Sequence, residues 1–223
     1  MCRTHGLSFF ALGAFDRTFY NTQVKELLGI VAALIAIAAY VPYLRGIRRG
    51  VVQPHPYTWI ISAIVSGIIL AGQISGGAGV GALPTATSAL LTFLIFLLSL
   101  KNGLRHITTI DTVFLAVAVC SIVPWLLTKD PTISVVLAVT IDCIAFVPTI
   151  RKTWVAPTSE SSLLYGANVV RHILTLFSLE AFTIATALHS IVMTLANAGV
   201  TLIIALRTKK VLPTDAQTGR DSA

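Results

Sequence analysis

The chain has 223 residues, of which 55% are hydrophobic and only 11% charged, with a mean hydropathy of +0.84. A soluble domain is roughly a quarter charged, so this composition excludes a soluble enzyme, a secreted disulfide scaffold and a disordered chain, and reads as an all-α integral membrane protein. The net charge of +7 does not point to nucleic acid, because the basic residues sit in short segments between apolar runs, which is a pattern of membrane topology.

Residues 1–26 read as an N-terminal extension. Arg3 followed by the apolar run Leu7–Ala14 resembles a signal peptide, but Phe15-Asp16-Arg17 is a poor cleavage context, which favours a disordered or interfacial segment. Seven runs then offer the roughly 20 helical residues that cross a ~30 Å hydrocarbon core: 27–45, 57–75, 81–100, 110–128, 132–152, 162–181 and 186–206. They lack period-2 alternation, so transmembrane helices are expected rather than barrel strands.

In chain order, the first span carries Pro42 near its end, where a missing backbone donor predicts a hinge. The second offers Trp59, Ser62 and Ser66 on one face. The segment "GQISGGAGVG", residues 72–81, predicts a flexible hairpin and lacks the Lys-Ser/Thr ending of a phosphate-binding loop. The third span shows Thr85, Ser88 and Thr92. The fifth carries Asp142 at mid-length and Pro148 near its end, a second predicted hinge. The sixth carries Asn168, Arg171, His172 and Thr175 at i, i+3, i+4 and i+7, a single helical stripe. The seventh repeats the pattern with Ser190, Thr194, Asn197 and Thr201. Glu180 and His189, at the span ends, read as interfacial, as do the aromatic residues Tyr57, Trp59, Trp125, Trp154 and Tyr165. Cys120 and Cys143 lie in apolar runs and, with Cys2, show no metal spacing; they read as buried small apolar side chains, and no metal or other cofactor is expected.

A charge at mid-bilayer costs about 2.5–3.5 kcal/mol on insertion scales. Asp142 and Arg171 lie at similar depth on consecutive spans, which predicts an ion pair. That pair would either fix the two helices or serve coupling and solute contact.

Lysine and arginine counts orient the chain. Arg45, Arg48, Arg49, Lys101, Arg105, Arg151, Lys152, Arg207, Lys209, Lys210 and Arg220 fall on one side; Arg3, Arg17, Lys25 and Lys129 fall on the other. The richer side is cytoplasmic. A multi-pass protein of the inner (plasma) membrane is predicted, its N terminus outside and its C terminus in the cytoplasm.

An internal repeat is visible at an offset of 106 residues, which superposes Pro42 on Pro148, Arg45 on Arg151, Tyr40 on Phe146 and Trp59 on Tyr165. Two parallel three-helix repeats joined by a linker helix (3+1+3) follow, because the unpaired fourth span restores the orientation of the second unit. The boundaries are repeat 1 at 27–104, linker helix 4 at 105–131, repeat 2 at 132–210 and a cytoplasmic tail at 211–223.

This pattern, with "AAYVPYLR" and "IAFVPTIR" at the two repeat positions, resembles the SWEET and PQ-loop superfamily in a divergent bacterial form without the Pro-Gln dipeptide. The resemblance implies alternating access between the two bundles and an asparagine on the last span, a position that Asn197 approaches while its repeat partner is Leu91.

The expected function is therefore a transporter of a small polar solute, sugar or amino-acid-like. Asn168, Arg171, His172, Thr194, Asn197, Ser62 and Trp59 would bind the solute. The alternative is a receptor or sorting protein of the same architecture, as the KDEL receptor is. The spans hold no acid pair, His-x-x-His or Gly-x-Ser-x-Gly motif, so no enzyme is expected. The partners are the lipid bilayer and the solute, a homo-oligomer being left open.

Overall fold

A computed structural model describes residues 6–50, 54, 56–102, 109–155, 157 and 161–211, with side chains from Asn21 onward. The predicted tail beyond Val211, Cys2 and the side chain of Pro148 lie outside the described residues. The described residues form helices α1 (Gly6–Arg48), α2 (Pro56–Ser75), α3 (Leu83–Ser99), α4 (Thr109–Cys120), α5 (Val123–Thr128), α6 (Pro131–Val155), α7 (Ser162–Ser178) and α8 (Ile184–Val211), with no strand among them.

Five of these segments are long and apolar enough to cross a membrane: Asn21–Arg48, Pro56–Ser75, Gly79–Ser99, Pro131–Val155 and Ile184–Thr208. The bundle is built inside out relative to a soluble protein. Its buried positions are rich in alanine (Ala32, Ala36, Ala118, Ala138 and Ala187), whereas Leu90, Phe177 and Leu195 are each about two-thirds exposed. Small residues let helix backbones approach where lipid tails are as apolar as leucine. Such an interior is consistent with a membrane protein.

Two expected spans differ. The run 110–128 is broken into α4 and α5 by a turn at Ser121–Ile122. Pro124 lacks the amide that would bond to Cys120, and the Ser121 hydroxyl donates to Ala118 O at 2.7 Å; both weaken the helix where it breaks. The run 162–181 stops at Ser178, because Leu179 is extended; its 17 residues rise only about 25 Å. At the N terminus, residues 6–26 are helical and form the first part of the 43-residue α1. That helix continues unbroken past Pro42.

Neighbours in sequence are not always neighbours in space. α3 packs against both α1 and α2, and α8 against both α6 and α7; α1 also packs on α7, and α2 on α6. The main apolar cluster joins α2, α4 and α6 through Val65, Ile69, Ala118, Val135 and Ala138. At one end Tyr40 meets Trp59 edge-on at 6.4 Å. Phe146 meets Tyr165 in the same way at 6.2 Å.

At the other end the glycine segment is ordered, not the flexible hairpin expected. Gly77 takes φ +77°, and the bonds Ala78 N to Gln73 O (2.8 Å) and Gly77 N to Ile74 O (3.1 Å) close α2 in a Schellman motif. The α7–α8 loop docks on it: Glu180 N donates to Ala78 O and Ala181 N to Gly77 O, both at 3.1 Å. These two loops form a clasp. Nearby, Asp130 Oδ1 accepts from Thr132 N at 2.8 Å and caps α6. The hydroxyl and amide of Thr132 hold the Asp130 carboxyl below its ordinary value, so the cap is charged at neutral pH.

Candidate functional site: a polar chain across the bundle

α7 begins with Ser161 as its N-cap, the hydroxyl accepting from Leu164 N at 3.3 Å. Its polar stripe turns inward, with His172, Thr175 and Ser178 buried and Arg171 half-buried. Thr175 and Ser178 satisfy themselves on carbonyls of their own helix and rigidify this face.

The guanidinium of Arg171 is held on three sides. Nε donates to Asn168 Oδ1 at 3.3 Å, one terminal nitrogen to Ser88 Oγ of α3 at 3.2 Å, and the other lies 2.7 Å from His172 Nε2. A guanidinium only donates. His172 Nε2 therefore accepts, which makes the ring neutral with its proton on Nδ1. His172 is 2% exposed, and that Nδ1 has no hydrogen-bond partner among the described residues.

The His172 ring packs edge-on against His189 of α8, with centroids 5.3 Å apart. His189 Nε2 in turn lies 3.5 Å from Asp142 Oδ2 on α6. Ser88, Arg171, His172, His189 and Asp142 thus form a polar chain from α3 through α7 and α8 to α6. Around the first turns of α8 it is flanked by buried polar atoms without partners among the described residues: Ser190 Oγ, His189 Nδ1 and Gln73 Oε1. The other end of the Gln73 amide is fixed on Thr186 O at 3.1 Å.

The expected Asp142–Arg171 ion pair does not form. α8 stands between α6 and α7, so His189 takes the carboxylate and Arg171 reaches the other way, to α3. His189 was expected at the interface; the structure makes it the centre of the chain. A double-mutant cycle should show this. Asp142→Asn with His189→Gln should couple by about 0.5–3 kcal/mol, whereas Asp142→Asn with Arg171→Gln should be additive to about 0.5 kcal/mol, both measured by thermal unfolding in detergent. Equal coupling in the two cycles would restore the direct pairing.

Of the other expected solute contacts, the structure brings Asn168 and His172 to Arg171 but not Asn197 or Thr194. The Asn197 amide donates to Met193 O at 2.7 Å and the Thr194 hydroxyl to Ser190 O at 2.7 Å, each on its own helix. Trp59 donates to the Tyr43 hydroxyl at 3.2 Å at the arginine-rich end, and Ser62 is half-buried one turn further along α2. Cys120 and Cys143, expected inside, are exposed on the bundle surface. Gln73 was missed altogether, although a glutamine at the end of an apolar run was a visible signal.

Comparison with family models, curated proteins and solved structures gives no match to this chain.

Proposed function

We propose that this protein is a membrane transporter for a small polar solute. It would work by alternating access between two parallel three-helix bundles of the 3+1+3, SWEET-like kind. The observation that carries the reading is the polar chain from Ser88 to Asp142, in which a guanidinium, two imidazoles and a carboxylate on three helices meet around the buried His172. Interhelical hydrogen bonds in membranes contribute only about 0.6 kcal/mol each on average, too little to explain retaining five polar groups as glue alone.

The repeat reading is supported by adjacency. α1 on α3 and α3 on α2 correspond to α6 on α8 and α8 on α7, while α1 on α7 exchanges with α6 on α2. The two edge-on aromatic pairs also correspond at the 106-residue offset. Arg171 faces no carboxylate within ion-pair distance among the described residues. That favours an acidic or zwitterionic, amino-acid-like solute over a neutral sugar.

The test is flux into liposomes holding the purified protein, screened over carboxylate-bearing solutes and neutral sugars. Saturable uptake of a carboxylate solute, lowered at least about tenfold by Asn168→Ala, is the expected result; specific binding without uptake would make the protein a receptor instead. Single cysteines at Gln53 and Ser159, both outside the described residues, should resist an impermeant thiol reagent in intact cells. Labelling of only one of them would sink the parallel arrangement.

A further inference from the structure

A groove of about 630 Å³ runs between α1 and α3 at the arginine-rich end. Its α1 wall carries Val41, Leu44, Arg45, Ile47 and Arg48; the other wall carries Leu94 and Leu98 of α3 and Lys101 in the turn just beyond it. Each set follows helical spacing along one face. On both walls the cations lie toward the end of the helix, beyond Val41, Leu44, Leu94 and Leu98. Leu94, Arg45, Arg48 and Lys101 are exposed, so the groove opens on the bundle surface. None of the three cations is ion-paired with another described residue.

The corresponding place in the second half of the chain is different. At the 106-residue offset, Trp154 stands where Arg48 does and Arg207 where Lys101 does. There the Arg207 guanidinium lies over the Trp154 ring, 4.6 Å from its centroid. A cation is engaged by an aromatic ring instead of facing outward. The open, three-cation groove belongs to the first half.

We propose that this groove binds one anionic phospholipid, its acyl chains along Leu44, Leu94 and Leu98 and its phosphate among Arg45, Arg48 and Lys101. An amphiphile is required because the groove joins a long apolar wall to a cationic mouth; a free anion uses only the mouth. Basic pockets between membrane helices take anionic headgroups through this combination of Coulomb attraction and chain burial. The inference rests on the chain lying in a bilayer and is independent of transport.

The experiment is native mass spectrometry of the full chain in detergent, titrated with phosphatidylglycerol or with phosphatidylcholine of the same acyl chains. Wild type should hold one phosphatidylglycerol in preference to phosphatidylcholine. The preference should fall about fivefold for each cation removed across Arg45→Gln, Arg48→Gln and Lys101→Gln. Leu94→Trp, which leaves all three cations in place, should also release the lipid by filling the groove. Arg207→Gln should leave binding unchanged. Unaltered binding in the triple variant, full binding in Leu94→Trp, or displacement of the lipid by millimolar inorganic phosphate would each overturn the proposal.

Discussion

Oxidising a cysteine pair placed at Gly77 and Ala181 should reduce solute flux to the leak of protein-free liposomes, and a reductant should restore it. The two loops of the clasp are already joined here by Ala181 N to Gly77 O at 3.1 Å. A Cβ built at Gly77 lies 3.5 Å from the Ala181 Cβ, within the usual span of about 3.5–4.5 Å for a disulfide. The left-handed backbone at Gly77 makes any side chain there cost about 1–2 kcal/mol, which a disulfide closing so long a loop offsets with typically 2–4 kcal/mol. The native cysteines are replaced first, so that only the engineered pair can form. The proposed alternating access would require this end to open, and a covalent link across the clasp would forbid it. Flux that persists in the oxidised protein would mean that the clasp stays shut throughout the cycle and that the solute takes another route.

Arg171→Met should abolish flux while leaving stability within about 1 kcal/mol of wild type. The balance is between two magnitudes. A guanidinium within the bilayer costs about 2.5–3.5 kcal/mol on insertion scales. Its three hydrogen bonds, to Asn168, Ser88 and His172, return about 2 kcal/mol at the average membrane value. Methionine fills most of the same length without charge, so the fold loses little or gains slightly. Under the proposed transport function, the variant would lose the cation that meets the solute carboxylate. Thermal unfolding and liposome flux measured on the same preparation separate the two effects. A loss of about 3 kcal/mol or more, well beyond the roughly 1 kcal/mol expected, would instead make Arg171 a structural tie between α3 and α7.

Hydropathy located the helices well, since α2, α3 and α6 begin and end within a few residues of the expected runs. That follows from the physics: crossing a hydrocarbon layer fixes the length and apolarity of each segment locally. The break at Ser121 was not anticipated, since hydropathy alone reads 110–128 as one continuous run. The Asp142–Arg171 pairing failed for a non-local reason. Equal depth on consecutive spans is a statement about one axis, while partnership depends on lateral order in the membrane plane. That order is set by which small-residue faces fit together, and here it places α8 between α6 and α7. His189 looked interfacial for the same reason. Its position near the start of α8 says nothing of the side chains brought beside it. The stripe on α7 was readable, its partners on α3 and α8 were not.

The three tryptophans give the molecule an optical asymmetry. Trp154 lies beneath the Arg207 guanidinium, and Trp125 belongs to α5, the short helix leading to Pro131, whose ring lies beside Gly72 near the clasp. Only Trp59 bridges two helices of the first triplet, through its N–H to the Tyr43 hydroxyl and its ring contacts with Tyr40 and Tyr43. Parting α1 from α2 at that end strips the indole of its acceptor, admits water and moves its emission to longer wavelength. The aromatic contact between α1 and α2 is thus a built-in fluorophore that reports any change in the spacing of these two helices at the arginine-rich end.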